Sequence, residues 1–153
     1  MKKLALAFYL LSLASCAKVP RPMLADPLPT EPPYAAWQRV LERYVDDLGR
    51  VDFAALAEDR NDLNLFVAWV YDNGPNNRPD RFPTRNHILA FHLNAYNALA
   101  MYKVLETGIP ATLAGFRKIW FFYLGKVQVG GETISLYDYE NKIIRPLSDP
   151  RVH

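Results

Sequence analysis

Arg85-Asn86-His87-Ile88-Leu89-Ala90-Phe91-His92-Leu93-Asn94-Ala95-Tyr96-Asn97-Ala98-Leu99-Ala100-Met101-Tyr102-Lys103-Val104-Leu105-Glu106 is the stretch whose reading decides the fold. Nearly every position is apolar, Thr84 can cap its start, and Thr107-Gly108 with Pro110 close it. The pattern predicts a long helix buried on most of its circumference, and therefore central to the domain. At 100° per residue His92, Tyr96 and Lys103 fall in one narrow arc, expected to be the single polar stripe at the wet edge. Asn94 and Asn97 lie on the opposite side among Ala90, Met101, Val104 and Leu105. A buried amide there must be hydrogen-bonded or cost ~1–3 kcal/mol. Two readings stay open: internal glue satisfying neighbouring polar groups, or the wall of a polar pocket that orients a ligand or a reacting group. His87 and His92 do not read as metal ligands, because residues five apart point about 140° away from each other on a helix. His92 is read as an edge imidazole.

Outward toward the N-terminus, residues 73–83 carry Gly74, Pro75, Asn76, Asn77, Pro79 and Pro83, a turn-rich loop of the kind that borders sites. Before it, Leu63, Phe66, Val67 and Val70 form the inward face of a helix running to about Asp72, capped by Asn61 or Asp62. Asp52 can cap another from Phe53. Trp37, Val40, Leu41, Tyr44 and Leu48 repeat at helical spacing, with Gly49 as a left-handed stop.

Toward the C-terminus, Trp120-Phe121-Phe122-Tyr123 reads as core or hairpin packing after a short helical turn near 111–116. Lys126–Val129 and Glu132–Ser135 alternate about Gly130-Gly131, a β-hairpin signal. Ser135 and Asp138 fit the capping pattern of a last helix ending at Pro146. Capping explains Asp138, so Asp138 and Glu140 do not make a two-carboxylate acid/base site. No phosphate loop, serine elbow or Cys/His metal spacing is present. The predicted fold is α+β, mainly helical with one β-hairpin, and no cofactor or metal is expected.

The first 33 residues read as an address. Lys2 and Lys3, the apolar run Leu4–Leu13 and the small pair Ala14-Ser15 compose a signal peptide over 1–15. The apolar run is about ten residues, short of the ~20 a spanning helix needs. Leu13-Ala14-Ser15-Cys16 is similar to the lipobox of bacterial lipoproteins, in which the cysteine is acylated with palmitate-type chains and becomes the first mature residue. Two or more chains give a stable hold at ~0.8 kcal/mol per buried methylene. Residues 16–33 form the lipidated cysteine and a tether rich in proline (Pro20, Pro22, Pro27, Pro29, Pro32, Pro33), an extended polyproline-like spacer. The folded domain is expected over 34–153. Ala17, where an Asp would favour inner-membrane retention, points to the outer membrane in a Gram-negative cell. The chain's single cysteine is then an anchor, so neither a disulfide nor thiol catalysis remains. The full chain carries 18 Lys and Arg against 16 Asp and Glu. Loss of Lys2 and Lys3 with the leader balances the signs, and nucleic-acid binding is set aside.

Phe91-His92-Leu93-Asn94-Ala95-Tyr96-Asn97-Ala98-Leu99 resembles a segment of Phe-Trp-Ile-Asn-Ala-Tyr-Asn-Ala-Leu type in domain of unknown function family 547. Tyr44-Val45-Asp46 with Gly49–Leu56 resembles the family's opening, Gly130-Gly131 with Ser135-Leu136 and Glu140 its middle, and Asp149-Pro150-Arg151-Val152-His153 a later motif. His92 stands where the family usually has Trp. In the family that later motif continues into an apolar strand and a cysteine-bearing segment, so the chain resembles an N-terminal portion, incomplete at the C-terminus. The resemblance implies no established activity. Three readings follow: a lipid-anchored cell-envelope protein, held to the membrane through Cys16, that binds a protein or small molecule in an accessory or inactive role; a hydrolase-type enzyme with Asn94, Asn97 and His153 as site residues completed by others beyond this chain; or a structural envelope lipoprotein.

Overall fold

A computed structural model describes residues 18–147. Cys16, the signal segment and the motif ending in His153 lie outside the described residues. The chain is mainly helical with a single two-stranded antiparallel hairpin among the described residues, as the sequence reading expected. Helix α1 spans Tyr34–Tyr44, α2 Phe53–Glu58, α3 Asn61–Asp72 and α4 Arg85–Glu106. Helix α5, Phe116–Ile119, runs on as a π turn over Trp120–Leu124. Strands β1, Lys126–Val129, and β2, Glu132–Ser135, follow, and α6, Leu136–Asp138, continues as a π segment over Tyr139–Ile144 and a 3-10 turn over Arg145–Leu147.

The core lies where α1, α4 and strand β1 converge on α3, and α4, expected to be the central helix, packs on it from one side. Leu63, Phe66, Val67 and Val70 of α3 are fully buried, as are Phe91, Ala95, Ala98 and Leu99 of α4. Each large side chain removed from water in this way contributes roughly 1.5–3 kcal/mol. Trp37 stacks on Phe66 at 5.4 Å between ring centroids and locks α1 onto α3. The caps at Asp52 and Thr84 form as expected, accepting from the backbone N–H of Ala55 and His87. The hairpin register pairs Val129 with Glu132 and Lys126 with Ser135, and Gly130 and Gly131 both take positive φ, the two-residue turn that their sequence specifies.

Several expectations are corrected. Helix α1 ends at Tyr44 instead of running to Gly49, because Val45 is drawn into a β-bridge with Val51 and the Asp46 carboxylate accepts from the backbone N–H of Leu48 and Arg50. Asn61 and Asp62 lie inside α3, not at its cap, since Arg39 grips both Asp62 oxygens at 2.8 and 2.5 Å. The short helical turn falls at 116–119 instead of 111–116, and the aromatic run after it is helical. The proline-rich stretch does not stand away from the body over residues 18–33. Val19 and Pro22 are buried, Val19 N–H donates to Lys126 O at 2.7 Å, and Arg21 pairs with Asp72 at 2.6 Å. The buried Tyr71 hydroxyl donates to Val19 O at 2.8 Å, so the strap satisfies a group that burial would otherwise strand.

Candidate functional site

The polar stripe of α4 does form, and it faces inward. His92, Tyr96 and Lys103 point at the segment between Phe121 and Glu140, which covers the arc expected to be wet. His92 and Lys103 are buried, whereas Ala90 and Asn97 on the other side are exposed. The periodicity found the arc but assigned its direction wrongly. Alanines make the outer side look apolar, while the long polar side chains reach partners that hydropathy does not count.

At one end of the stripe Lys103 extends its ammonium to the carbonyls of Phe121 and Gly125, the latter at 2.6 Å, with the Trp120 ring 5.3 Å away. The π turn and the residue that ends it supply those carbonyls. A Cβ on Gly125 would stand 2.7 Å from Nζ, so a larger residue there would push the ammonium from its place. Burial, with the Lys126 charge as a smaller cause, brings the Lys103 pKa down to about 8. This cation fastens the π turn to α4.

At the other end His92 Nδ1 meets the Tyr139 hydroxyl at 2.9 Å, with the rings edge to face. Burial lowers the His92 pKa to about 4, so the imidazole is neutral at pH 7, and burial pushes the fully buried Tyr139 phenol well above its ordinary value. Nε2 makes no hydrogen bond among the described residues. Both rings line a cavity of about 90 Å³ whose other walls are Val129, Ile134 and Ile143, with Gly74, Pro75 and Gly130 at its mouth. Asn76 and Glu132, joined by a 3.1 Å hydrogen bond from Nδ2 to Oε1, form its polar rim. Residues 74–76 of the 73–83 loop thus line this cavity. Next to it the Tyr96 hydroxyl reaches Glu140 at 3.4 Å, and Arg145 holds Glu140 at 2.7 Å.

This arrangement is a small apolar pocket with one neutral imidazole edge, one phenol and a carboxylate at the entrance. It suits hydrogen bonding to a small uncharged or amine-bearing group, and the Glu132 charge disfavours an anion. No group of three or more His, Cys, Asp or Glu is placed to hold a metal among the described residues. Asn94 and Asn97, singled out from the sequence, do not meet here. Asn94 Oδ1 accepts from Trp37 Nε1 at 3.0 Å, beside an open groove lined by Tyr34, Trp37 and Leu41, and Asn97 is exposed on the far side of α4. His153 lies outside the described residues. The sequence reading set His92 aside as an edge residue. The signal that locates it was the resemblance itself, because a position usually held by Trp is one where a large ring is packed.

Residues 80–153 match the family model described as "Protein of unknown function, DUF547", which supports the family that the α4 segment and the hairpin resemble. Residues 1–79 lie outside that match. No curated protein and no solved structure matches the chain. No helix among the described residues is long and apolar enough to cross a membrane.

Proposed function

We propose that the protein is a lipid-anchored protein of the bacterial cell envelope, in the outer membrane where the cell is Gram-negative, and that it serves a binding role seated at His92. The anchor rests on Lys2, Lys3, the apolar run and Leu13-Ala14-Ser15-Cys16. The binding role is carried by one observation: a neutral, buried imidazole with Nε2 free of partners among the described residues, lining a cavity of about 90 Å³. That space holds a few waters or a small polar molecule, and the apolar walls make any partner it offers worth more than in bulk water.

The test has two parts. Growth with labelled palmitate should mark the wild-type chain and not Cys16→Ser. The His92 ring resonances should shift saturably on titration with ethanolamine and not with acetate, and the Tyr139 ring resonances of the same cavity should follow ethanolamine in the wild type but not in His92→Gln. Equal response to the amine and the anion, or response without saturation, removes the binding site from the account.

A further inference from the structure

We propose that the face carried by α5 and its π turn is a docking surface for an anionic phospholipid leaflet, pressed against it by the way the chain enters the fold at Lys18. The inference rests on the lipid anchor at Cys16 and adds which side of the domain the membrane touches.

Between Glu106 and Glu132 the sequence holds no Asp or Glu, but it holds Arg117, Lys118 and Lys126. Within that span Phe116 is 73% exposed, and Ile119 and Leu124 are each 48% exposed. Tyr123, also exposed, stacks on exposed Tyr137 at 4.4 Å, which extends the apolar surface onto α6. Arg117 and Lys118 are exposed and make no ion pair among the described residues. The other exposed large apolar residues before it, Met23, Tyr34, Leu41 and Leu48, are spread over separate parts of the chain. Clustered aromatic and aliphatic side chains with two unpaired cations, the neighbouring Asp138 being taken up by Lys142 at 3.0 Å, is the composition of a surface that lies in a headgroup layer. Each basic residue there contributes about 1 kcal/mol against anionic lipid.

The entry of the chain supplies the second argument. Lys18 bridges Lys126 in parallel register, so the chain arrives at Lys18 from the end of β1 that leads back to Gly125, Leu124 and Tyr123. Cys16 is two residues earlier, a reach of at most about 7 Å even fully extended. An acyl anchor at Cys16 stays within that reach of Lys18, which brings the face beside Lys18 and Leu124 nearest to the lipid and leaves its own side chains to make the contact. The Gly130-Gly131 turn, with the His92 cavity, sits at the opposite end of the hairpin, about 10 Å along the strand. That places the pocket mouth away from the leaflet.

The test takes the full chain as extracted from its membranes, reconstituted in vesicles of phosphatidylglycerol and phosphatidylethanolamine with brominated acyl chains as the quencher of tryptophan. Trp37 and Trp69 are buried, so quenching reports Trp120 in the π turn. The expected result is quenching that disappears in Trp120→Phe, falls at least threefold in the triple variant Phe116→Ser/Arg117→Ser/Lys118→Ser, and falls likewise in vesicles of phosphatidylcholine alone. An unchanged thermal unfolding midpoint shows that the triple variant keeps the fold. If Cys16 is found unmodified, the anchor fails by itself. The same chain added to anionic vesicles from solution should still be quenched, and less so at high salt, and absence of that quenching overturns the docking face. Quenching that is absent in the acylated protein, or indifferent to the triple substitution, overturns it also. So does a sedimentation shift from dimer to monomer in the triple variant with quenching unaltered, which would make a second copy the occupant.

Discussion

Gly130 donates its backbone N–H to the Val70 carbonyl at 2.9 Å, so the turn of the hairpin serves as the C-terminal cap of helix α3. An α-helix leaves its last four carbonyls without helical partners, and here all four are answered. Trp69 O accepts from the backbone and side chain of Asn73, Val70 O from Gly130, Tyr71 O from Gly131 and Gln128, and Asp72 O from Asn77. Asn77 also accepts from Gly74 N–H and donates to Gly130 O, which ties the loop to the turn and fixes the mouth of the His92 cavity.

That docking makes the two turn glycines unequal. A Cβ on Gly130 would stand 3.2 Å from the Gly74 backbone, whereas one on Gly131 meets nothing within 4 Å. Asn is at ease with the positive φ of such turns. Gly130→Asn should therefore lower stability by about 1–3 kcal/mol, the range for overpacking, and Gly131→Asn by less than about 1 kcal/mol. Urea unfolding of the two variants checks the order, and equal losses would remove the contact with Gly74 from the account.

Acid should destabilise the fold through His92. Its pKa is about 4 in the folded chain against a usual 6.5, so the unfolded chain binds more protons between these values and stability falls as pH drops from 6.5 toward 4. The full effect is roughly 3 kcal/mol, from 1.36 kcal/mol per unit. His92→Gln keeps a partner for the Tyr139 hydroxyl without titrating, and its stability should be flatter across that window. The unfolding free energy measured against pH in both proteins decides it.

Base should act in two opposite steps. Lys103 carries a pKa of about 8 against 10.5, so the unfolded chain again holds the extra proton and stability rises between pH 8 and 10.5. Half-buried Tyr96 and buried Tyr102, each pushed up to about 12 chiefly by desolvation, lose stability for the fold above pH 10, because the unfolded phenols ionise first. Lys103→Met should abolish the rise and cost roughly 1–3 kcal/mol at pH 7, since the carbonyls of Phe121 and Gly125 lose their donor.

The two asparagines should separate cleanly. Asn94→Leu leaves the Trp37 indole N–H unpaired in a nearly buried position and should cost about 1–3 kcal/mol. Asn97→Leu, at an exposed site, should stay within about 0.5 kcal/mol of the parent. Chemical unfolding measures both, and a large loss at Asn97 would show that it holds something the described residues do not include.

Much of this fold is legible in the sequence because local rules and tertiary packing agree. The α4 helix, the caps at Asp52, Thr84 and Ser135, and the Gly-Gly hairpin each follow from residues next to one another. What is not legible depends on partners far along the chain. Helix α1 stops early because Val51 takes Val45, Asp62 leaves the cap because Arg39 takes it, and the prolines at 20–33 lie down because Tyr71 and Asp72 hold their neighbours. The candidate site belongs to this second kind. His92 looks like a surface residue until Tyr139, 47 positions later, is brought against it.

The central claim is that Cys16 anchors this body to a membrane, and intact mass spectrometry of the protein extracted from the envelope tests it most directly. The account predicts a chain that begins at Cys16 and carries fatty acyl groups on that residue. A chain that begins at Met1 with a free Cys16 thiol, recovered without detergent, would contradict it.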